Sequence, residues 1–354
     1  MTLESPKIPP QIIVDAHQKI ALQALYEGFD YLRHPLALGH KPSAAGLPDA
    51  LLGRIAVIFS AVVTIQRPKN QHTALVMHYH HPKEAYEAAL RQWDYYQRLA
   101  DKTNQVWLVQ TAADLHQVLE TWQPDTPLNR RRQGLVLTLS GADPILEPRQ
   151  FEEWYARGVR CVGLAYASTR YSGSSAERSE GLTKQGHELL DVLADYQTIV
   201  DVARISERGL YQVLDRYDGP LLVSHGYLES KDLDDNFDAV SRSAVCRLAE
   251  RDGVVALRLL HWPSSARPHN QRPPLRAVAE MVDTVCQWTG SSAHVAIGSD
   301  LASPQSLEDA PLDVDTTGDL WKLYRLLDSY GFSAADVQAI MAGNLLRLLR
   351  RALP

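Results

Sequence analysis

Eight polar residues stand at the ends of apolar runs: Asp15, His17, Lys19, Ser140, Tyr166, Arg204, His225 and Asp300. His17, His225 and Asp300 are residue types that hold a divalent metal, whose bound water can attack an amide. Lys19 and Arg204 are the opposite. A bound dication repels them, and a fixed guanidinium suits a carboxylate or phosphate instead. Two chemistries therefore compete in one set of residues. Asp15, two residues before His17, either orients it as a hydrogen-bond acceptor or only ends a strand.

Elements of one kind must bring these residues together. Short β-rich runs recur at Gln11–Asp15, Ile55–Val63, Gly134–Leu139, Cys161–Ala165, Thr198–Ala203, Pro220–Ser224, Val254–Leu260 and Val295–Ser299. Most are continuous apolar runs, as in parallel strands buried on both faces. Helical patterns separate them, among them Pro82–Asp101, Pro148–Arg157, Thr183–Tyr196, Ser206–Arg216, Ser241–Arg251 and Leu275–Trp288. Eight strands alternating with helices predict an α/β fold, a closed (β/α)8 barrel of the TIM type, ahead of an open doubly wound sheet. The run Val106–Gln110 is a ninth strand-like piece, expected outside the barrel. Such barrels carry their chemistry at the C-terminal ends of the strands, where the eight polar residues fall. Nothing reads as a linker, so residues 1–354 are expected to form a single domain. Ser264–Pro274 and Ser168–Glu180 read as loops at the same end, the second placed to cover the pocket.

Composition narrows the partners. Hydrophobic residues make up 45% of the 354 and charged residues 22%, the proportions of an ordinary globular chain. A net charge of −6 argues against nucleic-acid binding, and the basic stretch Asn129–Gln133 reads as a solvated loop. Cys161, Cys246 and Cys286 are odd in number and far apart, which fits a reduced, cytoplasmic setting. The N-terminus lacks a secretory pattern, and no apolar run is long enough to span a bilayer, so no membrane contact is expected. The C-terminal Leu345–Arg351 segment reads as a last helix closing the barrel. Met77–His81 contains alternating histidines with metal-binding potential, but it reads as a loop before the helix opened by Pro82.

Several motifs in order carry a resemblance. They are Gly181-Leu182-Thr183-Lys184-Gln185-Gly186, Asp201-Val202-Ala203-Arg204-Ile205-Ser206, Ser224-His225, His294–Asp300 and Gly343-Asn344-Leu345-Leu346-Arg347, with weaker support from Ile58–Ser60 and Arg157–Arg160. Together they resemble the membrane dipeptidase (renal dipeptidase) family of zinc metallopeptidases in the amidohydrolase superfamily, over nearly the whole chain. The resemblance implies metal-dependent hydrolysis of dipeptides at two zinc ions, held by a His-x-Asp pair, a bridging Glu and two further His. It matches His17 to the first His and His225 to the last. It puts Lys19 at the Asp, Ser140 at the bridging Glu and Arg204 at the other His. Asp300 matches the Asp that handles the catalytic water, and Tyr166 takes the place of a substrate-contacting His.

Three functions stay open on this pattern. In the first, the protein is a non-canonical or inactive homologue, a pseudoenzyme that binds a small anionic or dipeptide-like ligand at Lys19, Ser140, Tyr166 and Arg204. No zinc, or at most one, is expected in it, since too few donors remain for two. In the second, it is a single-metal hydrolase using His17, His225 and the catalytic Asp300. In the third, it is a non-catalytic scaffold. A homodimer is a further option, implied by the resemblance alone.

Overall fold

A computed structural model describes residues 11–35, 43–67, 77–175, 180–229, 239–260, 272–303 and 309–354. Eight strands form its frame: β1 (Ile13–Gln18), β2 (Ile55–Val63), β3 (Gln133–Ser140), β4 (Val159–Gly163), β5 (Ile199–Asp201), β6 (Leu221–Leu228), β7 (Val254–Leu257) and β8 (Val295–Ile297). Each pairs in parallel with the next in chain order. All eight expected strands are present, with ends shifted by a few residues. The last strand meets the first through Asp300, whose N–H donates to the His17 carbonyl at 3.0 Å, and through Ser299, whose N–H donates to Asp15 Oδ1 at 2.8 Å. The sheet is thus nearly closed into the expected barrel.

Every residue of β2, β3 and β6 is buried, which explains their unbroken apolar character. The helices begin where local chemistry dictates. Thr183, Ser206 and Ser241 each accept the N–H of the residue three on, from Gly186, Gly209 and Ala244, and so cap helices Lys184–Asp195, Glu207–Arg216 and Arg242–Glu250. The long helix Pro82–Lys102 opens on proline. Its Gln92 bonds both the N–H and the C=O of Val63, at 2.9 and 2.7 Å, and so fixes the end of β2. The C-terminal helix Asn344–Ala352 buries Leu345, Leu348 and Leu349, and Asn344 donates to the carbonyls of Ser292 and Val295 beside β8.

Three expectations change in detail. Val106–Leu108 lies outside the eight-strand ring but pairs in parallel with Gln133–Leu135 of β3, below the point where β4 begins. Within Met77–His81, His78–Tyr79 pairs as a short strand with Ile65–Gln66 rather than forming a loop. The basic stretch is less solvated than expected. Arg131 lies 5.4 Å from the Trp122 ring and Arg132 4.7 Å from the Trp107 ring, so both cations sit against indole faces. Most of the Ser264–Pro274 loop lies outside the described residues, as do residues 176–179 of the Ser168–Glu180 loop. The described part of the latter runs along Arg204. Ser175 N–H donates to the Arg204 carbonyl at 2.8 Å, and Ser174 bridges Ile205.

Candidate functional site

The strand ends converge as the barrel rule requires. His17 and His225 stack with ring centroids 3.8 Å apart. Tyr166 stacks beyond His225 at 6.4 Å. Lys19 Nζ lies 3.0 Å from Asp300 Oδ2 and 3.2 Å from the Tyr166 hydroxyl. Arg204 spans the other side of Tyr166: its Nε donates to the Tyr166 carbonyl at 2.7 Å, and its guanidinium lies 4.4 Å from the ring centroid. Ser140 ends β3 and is buried, and its Oγ has no hydrogen-bond partner among the described residues. At the following Gly141, a Cβ would stand 3.4 Å from that of Tyr166. Six of the eight residues thus belong to one cluster, Ser140 adjoins it through Gly141, and Asp15 supports it from within the wall.

Two of these positions carry unusual backbone. Arg204 and Asp300 have φ of 62° and 60°, left-handed conformations that L side chains seldom adopt. Such strain persists only where surrounding bonds over-determine it. For Asp300 those bonds are its own N–H to His17 and the Ser303 hydroxyl, which donates to Oδ1 at 2.8 Å.

Two buried carboxylates act as clamps. Asp15 Oδ1 accepts the backbone N–H of His17 at 3.2 Å and of Ser299 at 2.8 Å, while Oδ2 accepts Ser299 Oγ at 2.5 Å and Gln18 Nε2 at 2.6 Å. It therefore holds His17 by the main chain, not by the imidazole. Asp201 repeats the device. Its Oδ1 accepts the N–H of Ala203 at 2.9 Å and of Ser224 at 3.0 Å, and its Oδ2 accepts Ser224 Oγ at 2.5 Å. Each aspartate grips its own strand two residues on, and the serine of a neighbouring strand that precedes Asp300 or His225.

Burial and charge decide the protonation states. Burial drives the His17 imidazole down to about 3, and the cations of Lys19, Arg258 and Arg204 add to the effect, with only Asp300 opposing. The same burial, with His17 and these cations beside it, holds His225 well below the usual histidine range. Both rings are therefore neutral at physiological pH. Their Nε2 atoms have no hydrogen-bond partner among the described residues. Burial opposes the Lys19 ammonium, but Asp300 and Tyr166 outweigh it and hold Lys19 above its usual value. Asp15 is pushed up to about 6 by burial, its four donors pulling the other way.

Four participants escaped the sequence reading. Arg258 follows β7, is buried, donates from Nε to the Leu260 carbonyl at 2.8 Å and lies 4.7 Å from the Tyr227 ring. Its signal was present: a lone arginine inside the apolar run Val254–Leu260, where a buried charge calls for a reason. Asp201, Ser224 and Ser299 were equally legible as strand-end polar residues but were passed over as neighbours of the conspicuous ones.

The family model for membrane dipeptidases, peptidase family M19, matches residues 9–353. This chain belongs to the membrane dipeptidase family. Among curated relatives of these dipeptidases, an uncharacterized dipeptidase of Schizosaccharomyces pombe is 25% identical over 209 residues, 57% of this chain and 48% of its own length. The dipeptidase tcpJ of Claviceps purpurea is 24% identical over 267 residues, 71% of this chain and 60% of its own. The chain thus spans about half of the length of the curated relatives it matches. Two solved structures share the fold at TM-score 0.79 and 17% identity. The dipeptidase AC, a metallo peptidase, is matched over 98% of this chain and 99% of its own. A metallo peptidase from Rhodobacter sphaeroides, liganded with a phosphinate mimic of the dipeptide L-Ala-D-Ala, is matched over 97% and 99%. Membrane dipeptidases are zinc enzymes. In this member no group of three or more His, Cys, Asp and Glu side chains among the described residues is arranged to hold a metal ion. None of the described helices is long and apolar enough to cross a membrane.

Proposed function

We propose that this barrel binds a small anionic or dipeptide-like ligand at its mouth, and that two-zinc hydrolysis is not its chemistry. The observation that carries the reading is the contact of Lys19 Nζ with Asp300 Oδ2 at 3.0 Å. An ammonium of raised pKa is bonded to a carboxylate that metal chemistry would need. The remaining donors do not fit a dinuclear centre. His17 and His225 supply two nitrogens, and the Ser140 hydroxyl, being neutral, cannot bridge two dications. Arg204, fixed against Tyr166, and the unpartnered Ser140 Oγ supply groups that a carboxylate or phosphate accepts from.

A second reading has its own observation. The Nε2 atoms of His17 and His225 are both unpartnered, and His17 Nε2 lies 3.9 Å from Asp300 Oδ1. These three could hold one metal if Lys19 gave way. Elemental analysis of protein purified without chelator, with dipeptidase activity assayed on the same sample, separates the readings. Less than one metal per chain and no activity supports the ligand-binding role. One zinc with activity lost on chelation supports the second reading. Two tightly bound zinc ions overturn both.

A further inference from the structure

The hydrogen bonds behind His225 have a direction, and that direction sets what the ring can do in the strand-end cluster. Asp201 Oδ1 faces two backbone N–H groups, from Ala203 and Ser224, which can only donate. Its Oδ2 stands 2.5 Å from Ser224 Oγ, within the short O–H···O range. Burial pushes the Asp201 carboxyl up, and its bonds from the Ser224 hydroxyl and from the Ser224 and Ala203 N–H groups pull it down. With that carboxyl ionised, the one hydroxyl proton of Ser224 goes to Oδ2. What Ser224 then offers is lone pairs. His225 Nδ1 lies 2.7 Å from that oxygen and must be the donor. A neutral imidazole has one N–H, so Nε2 is left bare. That atom is buried and has no hydrogen-bond partner among the described residues.

We infer that Asp201 and Ser224 are positioning residues which lock His225 in its Nδ1–H form and keep Nε2 as an acceptor of a hydrogen bond or proton from a ligand. His17 shares the same oxygen more weakly, with Nδ1 at 3.5 Å. The Asp15 clamp does not act in this way, since it meets His17 only at the backbone. The lock is specific to the Asp201–Ser224–His225 series. A ligand of this strand-end cluster therefore presents an N–H or O–H group to His225, besides whatever acceptor it offers to Lys19 or Arg204. This conclusion deepens the ligand-binding reading and rests on it for its use. The tautomer itself is read without any ligand, so failure of one is distinguishable from failure of the other.

Asp201→Asn gives a directional test. The two backbone N–H groups force the amide oxygen to the Oδ1 position, which turns the amide NH2 toward Ser224. Ser224 must then accept from Asn and donate to His225 Nδ1, which moves the ring proton to Nε2. Imidazole 15N spectra of the metal-free full chain, with His225 assigned by difference against His225→Gln, read this directly. The expected result is a pyrrole-type Nδ1 and pyridine-type Nε2 in the natural protein, exchanged in Asp201→Asn. An Nε2–H or doubly protonated ring in the natural protein overturns the inference. So does a folded Asp201→Asn variant with an unchanged pattern. Where that variant does not fold, Ser224→Ala serves: loss of the pure Nδ1–H signature is expected, and an unchanged signature overturns the lock.

Discussion

Lys19 and Asp300, at the ends of the first and last barrel strands, form a buried ion pair at 3.0 Å. Tyr166 supports the ammonium and Ser303 the carboxylate. Removing one partner of such a pair leaves an uncompensated buried charge. Lys19→Met is expected to lower the unfolding free energy in urea by about 3–5 kcal/mol. Lys19→Met with Asp300→Asn should recover much of that loss, and additive losses would show that the pair is not coupled. The lysine's raised pKa sets the pH window. Its contribution is full below the ordinary value of 10.5 and is lost as pH rises through the higher value of the folded state.

The left-handed backbone at Arg204 separates main chain from side chain. Arg204→Ala removes the guanidinium and keeps the strain, whereas Arg204→Gly removes both. The glycine variant is expected to be the more stable of the two by about 1 kcal/mol in thermal or urea unfolding. Equal stabilities would mean that this φ carries no cost. Both should weaken binding of a carboxylate ligand to the same extent, measured by calorimetry.

The two neutral histidines predict an acid limb. A histidine depressed in the folded state contributes stability that is fully present above the unfolded value of 6.5 and declines as pH falls toward the folded value, about 3 for His17. Each such histidine adds a slope of about 1.4 kcal/mol per pH unit in that window. The Asp15 and Asp201 carboxyls, both raised by burial, slope the other way as pH falls, so the test is the difference between two curves. Unfolding free energy of the natural protein minus that of His17→Gln should fall between pH 7 and pH 4, and a difference that does not change with pH would contradict neutral burial of His17.

Rebuilding the family's ligands tests the residue matching from the other side. The triple change Lys19→Asp, Ser140→Glu, Arg204→His removes two cations and adds three donors. Zinc affinity, followed by competition with a chromogenic chelator, is expected to rise at least about 100-fold. A folded variant that binds no more zinc than its parent would show that these positions do not converge on one metal site.

Gly298 sets the spacing between β8 and β6. A Cβ there would stand 1.8 Å from the Ser224 carbonyl oxygen, in the segment that presents both Ser224 and Asp300. Gly298→Ala is expected to cost about 3 kcal/mol or more, or to prevent folding, as judged by soluble yield and thermal unfolding. A variant of ordinary stability would mean that the two strand ends can part without loss.

The barrel and the address of its site are written in local pattern. Unbroken apolar runs such as Ile55–Val63 and Gly134–Leu139 mark strands buried on both faces, and that pattern is local. A strand end is also local, so the pattern alone places His17, Arg204, His225 and Asp300 at one mouth. What the tertiary structure decided is who pairs with whom. Asp300 takes Lys19, while Arg204 turns onto Tyr166. Arg258 comes in from the wall, and Asp15 and Asp201 each seize the serine of a neighbouring strand. These choices depend on distances of a few ångströms between side chains far apart in the chain. Hydrophobic periodicity records which way a residue faces, but it does not record which charge lies opposite, and buried electrostatics are settled by that separation alone.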